Sequence, residues 1–408
     1  MTYISNVGFK NTANFDAFSR LRTSQVHGLF DSQFTYDIQP LLFEQTTSGS
    51  GAAIAHDTTN RNALMTFAST PTGGVCDMQT YTHFRYSSGR SQLIFMTFNM
   101  NGGVADTVKY AGYSDGTEGL EFRLSGTTPE MRILSTTDVG NQTVAQASWN
   151  LDTLLGTGPS GITIDFTKAQ ILVIDFQALY VGRVRMGFDI GGNIIFVHEF
   201  TNANNTTTNY MKTANLPLRC GMTCSATVST TMNFICSTVM QETEDSGSEH
   251  EGFNFSAIGT VTAGSGTQTH ILSVQPKTTF NSITNRTKFI LEDIEITTTS
   301  ATPVRWDLCI GDVLTGTTTM IDVNATYSAF QYNTLATTSG APAIIISSGY
   351  LAASAQTKGE VNQHIPFKYP ITLDRAGAVR ALGRLTLLVT GIGGTSACRA
   401  IMNWKEIR

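Results

Sequence analysis

Apolar and polar positions alternate with a period of two along most of this chain, the spacing that sends successive side chains to opposite faces of a strand. SQFTYDIQ (residues 32–39) sets Phe34, Tyr36 and Ile38 on one face. MQTYTHFRY (78–86) opposes Met78, Thr80, Thr82, Phe84 and Tyr86 to Gln79, Tyr81, His83 and Arg85. SQLIFMTFNM (91–100) is almost continuously apolar, as a strand covered on both faces would be. EGLEFRLS and MRILST predict two more strands, with GTTPE between them as the turn.

The clearest supersecondary signal is AQILVIDFQALYVGRVRMGFDIGGNIIFVHEFT (169–201), which predicts three strands. In the middle one Ala178, Tyr180, Gly182, Val184, Met186 and Phe188 share a face, and Arg183 and Arg185 point the other way. IGGN supplies a hairpin turn, because Gly191 and Gly192 tolerate positive φ. The return strand puts Ile194, Phe196, His198 and Phe200 on one side. VSTTMNFICSTVMQE closes this half, and the acidic, polar ETEDSGSEHEG (242–252) reads as a linker. RTKFILEDIEITTTS, PVRWDLCIG, AIIISSGYL, GRLTLLVTG and ACRAIMNWKEI then repeat the strand pattern, with no alignable internal repeat. Helical periodicity is weak; SWNLDTLLG predicts one short turn, capped by Asn150 or Asp152. The expected fold class is all-β. Two antiparallel β-sandwich domains, jelly-roll or lectin-like, occupy 31–241 and 253–408, joined by the 242–252 linker and preceded by a terminal segment, 1–30.

Of the 408 residues, 14% are charged, well below the usual ~25%, so the surface is built from hydroxyls and amides. Such a surface suits large protein contacts, which desolvate few ions, and it suits sugar. The net charge of −5 carries no basic footprint for nucleic acid. No apolar run reaches 18 residues, and the opening MTYISNVGFKNTANF has no apolar signal core, so neither membrane insertion nor secretion is expected. The six cysteines are scattered; Cys220 and Cys224 have no second ligand pair, which favours structural thiols over zinc.

The search for chemistry finds little. His56–Asp57 reads as a polar loop, and His198–Glu199 lacks the second histidine of a helical metal motif. Glu118 and Glu121 are an odd number apart, so on a strand they face opposite sides; Asp293 and Glu295 share a face, the solvated side of an alternating strand. Asp115 and Glu118 are too few for a calcium loop. No catalytic residue, metal or cofactor is therefore expected, and the chain is expected to catalyse nothing; a polysaccharide depolymerase, which needs a carboxylate pair across a cleft that the sequence does not place, is the last of the alternatives, behind a glycan-binding module. Tyr81, Tyr86, Tyr110 and Tyr113 are candidate exposed rings, and Tyr81, Tyr86 and Tyr113 are the candidate glycan contacts.

Near the start, FDAFSRLRTS (15–24) concentrates aromatic and cationic residues in a chain otherwise sparing with charge. With LFDSQ, NRNALMTFAS and FDIGGNI…VHEF, it resembles a family of tailed-bacteriophage virion structural proteins that begin with an F-D-A-F-x-R-L-R-x-S block. The matching residues are Phe15, Asp16, Phe18, Arg20, Leu21, Arg22 and Ser24, then Leu29, Phe30, Asp31 and Ser32, and the likeness spans most of the first 240 residues. The resemblance implies a fibre, spike or decoration protein of a virion assembled in the host cytoplasm. Phe15, Phe18, Arg20, Leu21 and Arg22 would then attach it to a neighbouring subunit or another virion protein, since Arg and Phe favour desolvated interface centres. The alternative at this point is a capped helix covering the protein's own sandwich. Expected partners are copies of itself in a homotrimer, other virion proteins, and host surface glycan in the lectin-like reading.

Overall fold

A computed structural model describes residues 26–86, 88–177, 179–242, 252–338, 344–353, 360–363 and 369–408. The first unit contains β1 (Val26–Gln33), β2 (Phe43–Ser48), β3 (Ala52–Asp57), β4 (Asn62–Thr70), β5 (Val75–Thr80), β6 (Ser91–Asn99), β7 (Thr107–Ser114), β8 (Gly119–Ser125), β9 (Thr128–Leu134), β10 (Gln142–Ala145), β11 (Ala169–Gln177), β12 (Val184–Ile190), β13 (Asn193–Phe200), β14 (Leu218–Cys224) and β15 (Val228–Glu242). They form two antiparallel sheets. One runs β13-β12-β11-β6-β15-β4-β3, with β1 also on β15; the other runs β10-β9-β8-β7-β14-β5-β2. The 15-residue β15 holds the first sheet together: β4 pairs with its opening half, β1 with its closing half, and β6 runs along its other flank.

The period of two explains the core. Met65, Phe67, Ile94, Met96, Phe98 and Phe176 face inward from the larger sheet and meet Met78, Tyr113, Phe122, Met131, Leu218 and Met222 from the other. Aromatic contacts tie the layers, with Phe122 against Phe188 at 5.3 Å and Phe43 against Phe234 at 5.9 Å. Lys109 is fully buried, and its ammonium donates to the carbonyls of Gly102 and Thr231 (3.1 and 2.9 Å) and to Thr230 Oγ1 (2.8 Å). Burial pushes its pKa down to about 8.

The second unit packs a four-stranded sheet (Phe253–Ala263, Ser396–Ile407, Lys288–Thr298, Glu360–Gln363) against a six-stranded one whose central strands are Thr269–Pro276, Leu385–Gly391 and Val304–Ile310. Trp306 and Trp404 anchor its separate core. Gly349 is required there, because a Cβ at that position would lie 2.8 Å from the Trp306 indole. The all-β, antiparallel sandwich expected from the sequence is the observed fold.

The IGGN hairpin also forms as expected, Gly191 and Gly192 taking φ of 64° and 83° between β12 and β13. Gly192→Val should lower stability by about 1–2 kcal/mol, the cost of placing a side chain in the left-handed region, read as a shift in denaturation midpoint.

Several local expectations are corrected. SQFTYDIQ leaves the sheet after Gln33: Asp37 turns the chain by accepting the Gln39 N–H (2.8 Å), and Tyr36 is 90% exposed although Phe34 is buried. Residues 26–30, assigned above to a terminal segment, belong to β1 within the sandwich. MQTYTHFRY is strand only to Thr80. His56 lies on β3, not in a loop, with Nε2 2.7 Å from the Phe34 carbonyl oxygen. The turn between β8 and β9 is only Gly126–Thr127, so Pro129 is inside β9; β10 pairs only from Glu130 onward, which leaves Pro129 a neighbour on one flank. A bulge at Val197 breaks the alternation of β13: Phe196 aligns with Gly187 and His198 with Met186, leaving Val197, His198 and Phe200 buried.

Candidate functional site

The inward positions of the seven-stranded sheet fix its outward ones. Register aligns Asp77, Gly221, Tyr110, Arg123 and Glu130 in one cross-strand row, and Gln79, Arg219, Gly112, Glu121 and Arg132 in the next. Glu44 of β2 extends the second row at one end and Thr143 of β10 at the other. The result is a ladder of alternating guanidinium and carboxylate groups.

Arg132 Nη1 meets Glu121 Oε1 at 2.6 Å, and its Nε donates to Thr143 Oγ1 at 3.1 Å. Arg123 Nε pairs with Glu130 Oε2. Arg219 donates to Asp77 Oδ2 through Nε (2.7 Å) and Nη2 (2.6 Å), while lying 4.6 Å over the Tyr110 ring. The Tyr110 hydroxyl donates to the same Asp77 oxygen at 2.9 Å. Burial, followed by the Asp77 charge, holds the Tyr110 phenol well above its ordinary pKa, so it stays a neutral donor. Glycine is required at the centre of the rows. A Cβ on Gly221 would lie 2.8 Å from the Tyr110 hydroxyl, and one on Gly112 would lie 2.6 Å from Glu121 Cα.

The second unit presses a turn against one end of this face. Asp374 shapes it, its Oδ1 accepting the Ala378 N–H at 2.8 Å, and Arg286 grips the Asp374 and Arg375 carbonyls at 2.7 and 3.1 Å. Arg375 then reaches across: its N–H donates to Glu44 Oε2 (2.9 Å) and its Nη1 lies 3.0 Å from Asp77 Oδ2. Arg380 sits 3.6 Å over the Tyr81 ring. Asp77, with no exposed surface, thus joins Arg219 of its own unit to Arg375 of the second.

The residues chosen from the sequence lie elsewhere. Phe15, Phe18, Arg20, Leu21 and Arg22 are outside the described residues. Tyr81 is half-buried beneath Arg380, and Tyr86 is buried with its ring 5.2 Å from that of Tyr180. Tyr113 is fully buried and donates its hydroxyl to the Phe84 and Ala214 carbonyls. Tyr86, Tyr110 and Tyr113 are therefore corrected from exposed platforms to buried rings; Tyr113 falls on the inward parity of β7, and Tyr110, on the other parity, is buried on the outer side of the sheet beneath Arg219. Glu118 and Glu121 do separate. Glu118 is held by the Thr136 and Lys212 N–H groups (2.9 and 3.0 Å), and Glu121 joins the ladder. The period of two alone does not reveal the ladder, although its signal is in the sequence: Glu121, Arg123, Glu130 and Arg132 alternate on two strands around a tight turn, and pairing those strands opposes each acid to a base.

No protein-family model and no curated protein matches the chain. Solved structures do. Winged bean acidic lectin complexed with methyl-α-D-galactose is 9% identical over 55% of this chain and 100% of its own, with a TM-score of 0.34. The endo-β-1,3-glucanase of Pyrococcus furiosus is 12% identical over 54% of this chain and 96% of its own, with a TM-score of 0.37. A conserved carbohydrate esterase of the Shiga toxin-encoding bacteriophage phi24B is 10% identical over 54% and 100%, with a TM-score of 0.32. At these identities the likeness concerns the fold alone. The expectation that the chain catalyses nothing is withdrawn, because the sandwiches matched include glucanases and an esterase; a fold that hosts hydrolases gives no ground for excluding catalysis.

Proposed function

We propose that the chain is a glycan-recognising surface subunit of a phage particle. The ladder on the seven-stranded sheet carries this reading. A sugar presents neighbouring hydroxyls that both donate and accept, and a fixed alternation of guanidinium donors and carboxylate acceptors is complementary to them through charge-assisted hydrogen bonds. The sheet holds these groups in place before binding, which reduces the ordering cost. Support for the virion setting is the F-D-A-F-x-R-L-R-x-S resemblance, and a homotrimer would offset weak binding per site with several copies.

A glycan array with purified protein tests recognition. Arg123→Ala/Glu130→Ala removes both members of a largely buried pair, so no unpaired charge is stranded and the loss of stability should stay below the ~3–5 kcal/mol of removing one partner alone. Binding to any glycan found should fall at least about tenfold, the loss of one or two charged hydrogen bonds. Unchanged binding would remove the ladder from the reading, and release of reducing ends in the same assay would make the face a hydrolase site. Deleting residues 1–25 tests the virion setting, with loss of incorporation into particles as the expected result.

A further inference from the structure

On the opposite sheet, where β6, β11 and β12 run side by side, the outward positions enclose a cavity of about 230 Å³. Arg90, Ser91, Asp175, Gln177, Arg183 and Arg185 contribute to its wall; against the three arginines stand Asp175 in the wall and Glu199 beside Arg183, a formal charge of +1 in a chain whose net charge is −5.

The groups in this wall are not equivalent. Asp175 is committed: its Oδ1 accepts the Ser91 hydroxyl at 2.7 Å, and its Oδ2 pairs with Arg185, which lies 4.3 Å over the Phe196 ring. That network makes a rigid floor. Arg183 is different. Its side chain is 43% exposed, and its ion pair, to Glu199, is long at 3.4 Å. Its backbone is fixed, because its N–H donates to Gln177 Oε1 at 3.0 Å and Gln177 N–H donates back to the Arg183 carbonyl at 3.0 Å. A planar guanidinium with donors to spare, anchored at the rim of a cationic recess, suits a carboxylate, which it can engage with two parallel hydrogen bonds. The recess is below the ~300–1,000 Å³ of sites for larger ligands, which limits the occupant to about one ring. Leu179, 54% exposed, offers an apolar wall, and Ser91 and Gln177 offer polar groups beside it.

From this geometry we infer that the recess binds a single acidic sugar residue, its carboxylate on Arg183, its hydroxyls toward Ser91 and Gln177, and the C–H face of its ring against Leu179. The ligand class rests on the glycan-recognition reading, but the site lies on the other sheet from the ladder.

The test is ligand-observed NMR titration of the full chain with glucuronate, N-acetylneuraminate, glucose and inorganic sulfate. At least one of the two acidic sugars should bind about tenfold or more tightly than glucose and sulfate. Arg183→Gln should weaken that binding about tenfold, and Arg183→Lys should restore part of it. Equal binding of sulfate would show a simple anion site and overturn the inference. So would the absence of binding by both acidic sugars, or indifference to Arg183→Gln in a variant whose melting curve matches the parent. Loss of array binding in the ladder variant, with no acidic-sugar titration in the parent, would sink the recess while leaving the ladder reading intact.

Discussion

Asp77→Ala is expected to destabilise the protein by about 3–5 kcal/mol, the cost of stranding buried charge. Asp77 has no exposed surface, and one of its oxygens receives Arg219, Tyr110 and Arg375. Removing the carboxylate leaves Arg219 facing Tyr110 without its counter-charge and takes from Arg375 one of its two acidic partners. Chemical denaturation would read the loss as a lower midpoint. Asp77→Ala/Arg219→Met should recover part of it, because the guanidinium that had become a liability is gone too. The coupling has a second readout: proteolysis within 242–252 should accelerate in Asp77→Ala, since the turn at Arg375 loses part of its hold on the first unit. A midpoint identical to the parent would show that Asp77 organises the face without stabilising it.

Acid should destabilise the fold well above the pH at which carboxylates titrate. Burial is the main cause holding His83 down to about 3, with Arg286 adding to it, and burial holds His198 and His270 down to about 4. The bonding agrees with neutral rings: His198 Nδ1 accepts the Asn150 N–H at 3.2 Å, which it could not do if protonated. In the unfolded chain these histidines titrate near 6.5. As pH falls from 6.5 toward 4, the unfolded state takes up protons that the folded state refuses, so stability falls across that window and is fully retained above it. By pH 5 His83 alone should account for about 2 kcal/mol, and the other two act in the same direction. Denaturation midpoints at pH 7, 6 and 5 would trace the slope, and His83→Gln should flatten it. A midpoint constant from pH 7 to 5 would contradict the neutral, buried assignment.

Strands were legible where both the period and the punctuation were strong. β6 follows from its apolar run, although only one of its faces is fully buried, β12 follows from its alternation from Val184 onward, and the two-glycine hairpin follows from a sequence that only one turn class accommodates. What failed was local context. SQFTYDIQ alternates as well as any strand here, but Asp37 bonds its own backbone two residues on and ends the strand, a competition that periodicity does not register. The bulge at Val197 reverses parity halfway along β13, so a face drawn through Ile194 and Phe200 was bound to split. The site was harder, because it depends on register. Tyr110 and Tyr113 are both aromatic and three apart, and only the inward parity of β7 decides that one meets Asp77 and the other the core. The Arg375 contact spans the two units, which no local pattern encodes.

The register of β1 has a mechanical consequence. Val26, where β1 begins, is paired with Glu242, where β15 ends, so the chain enters and leaves the first sandwich at a single corner. Tension applied between the two ends of the polypeptide would converge there and open the β1–β15 ladder like a zipper, one rung after another, instead of shearing all its rungs together. A pulling experiment should therefore find an early, low-force event that releases β1 while the opposed sheets remain packed.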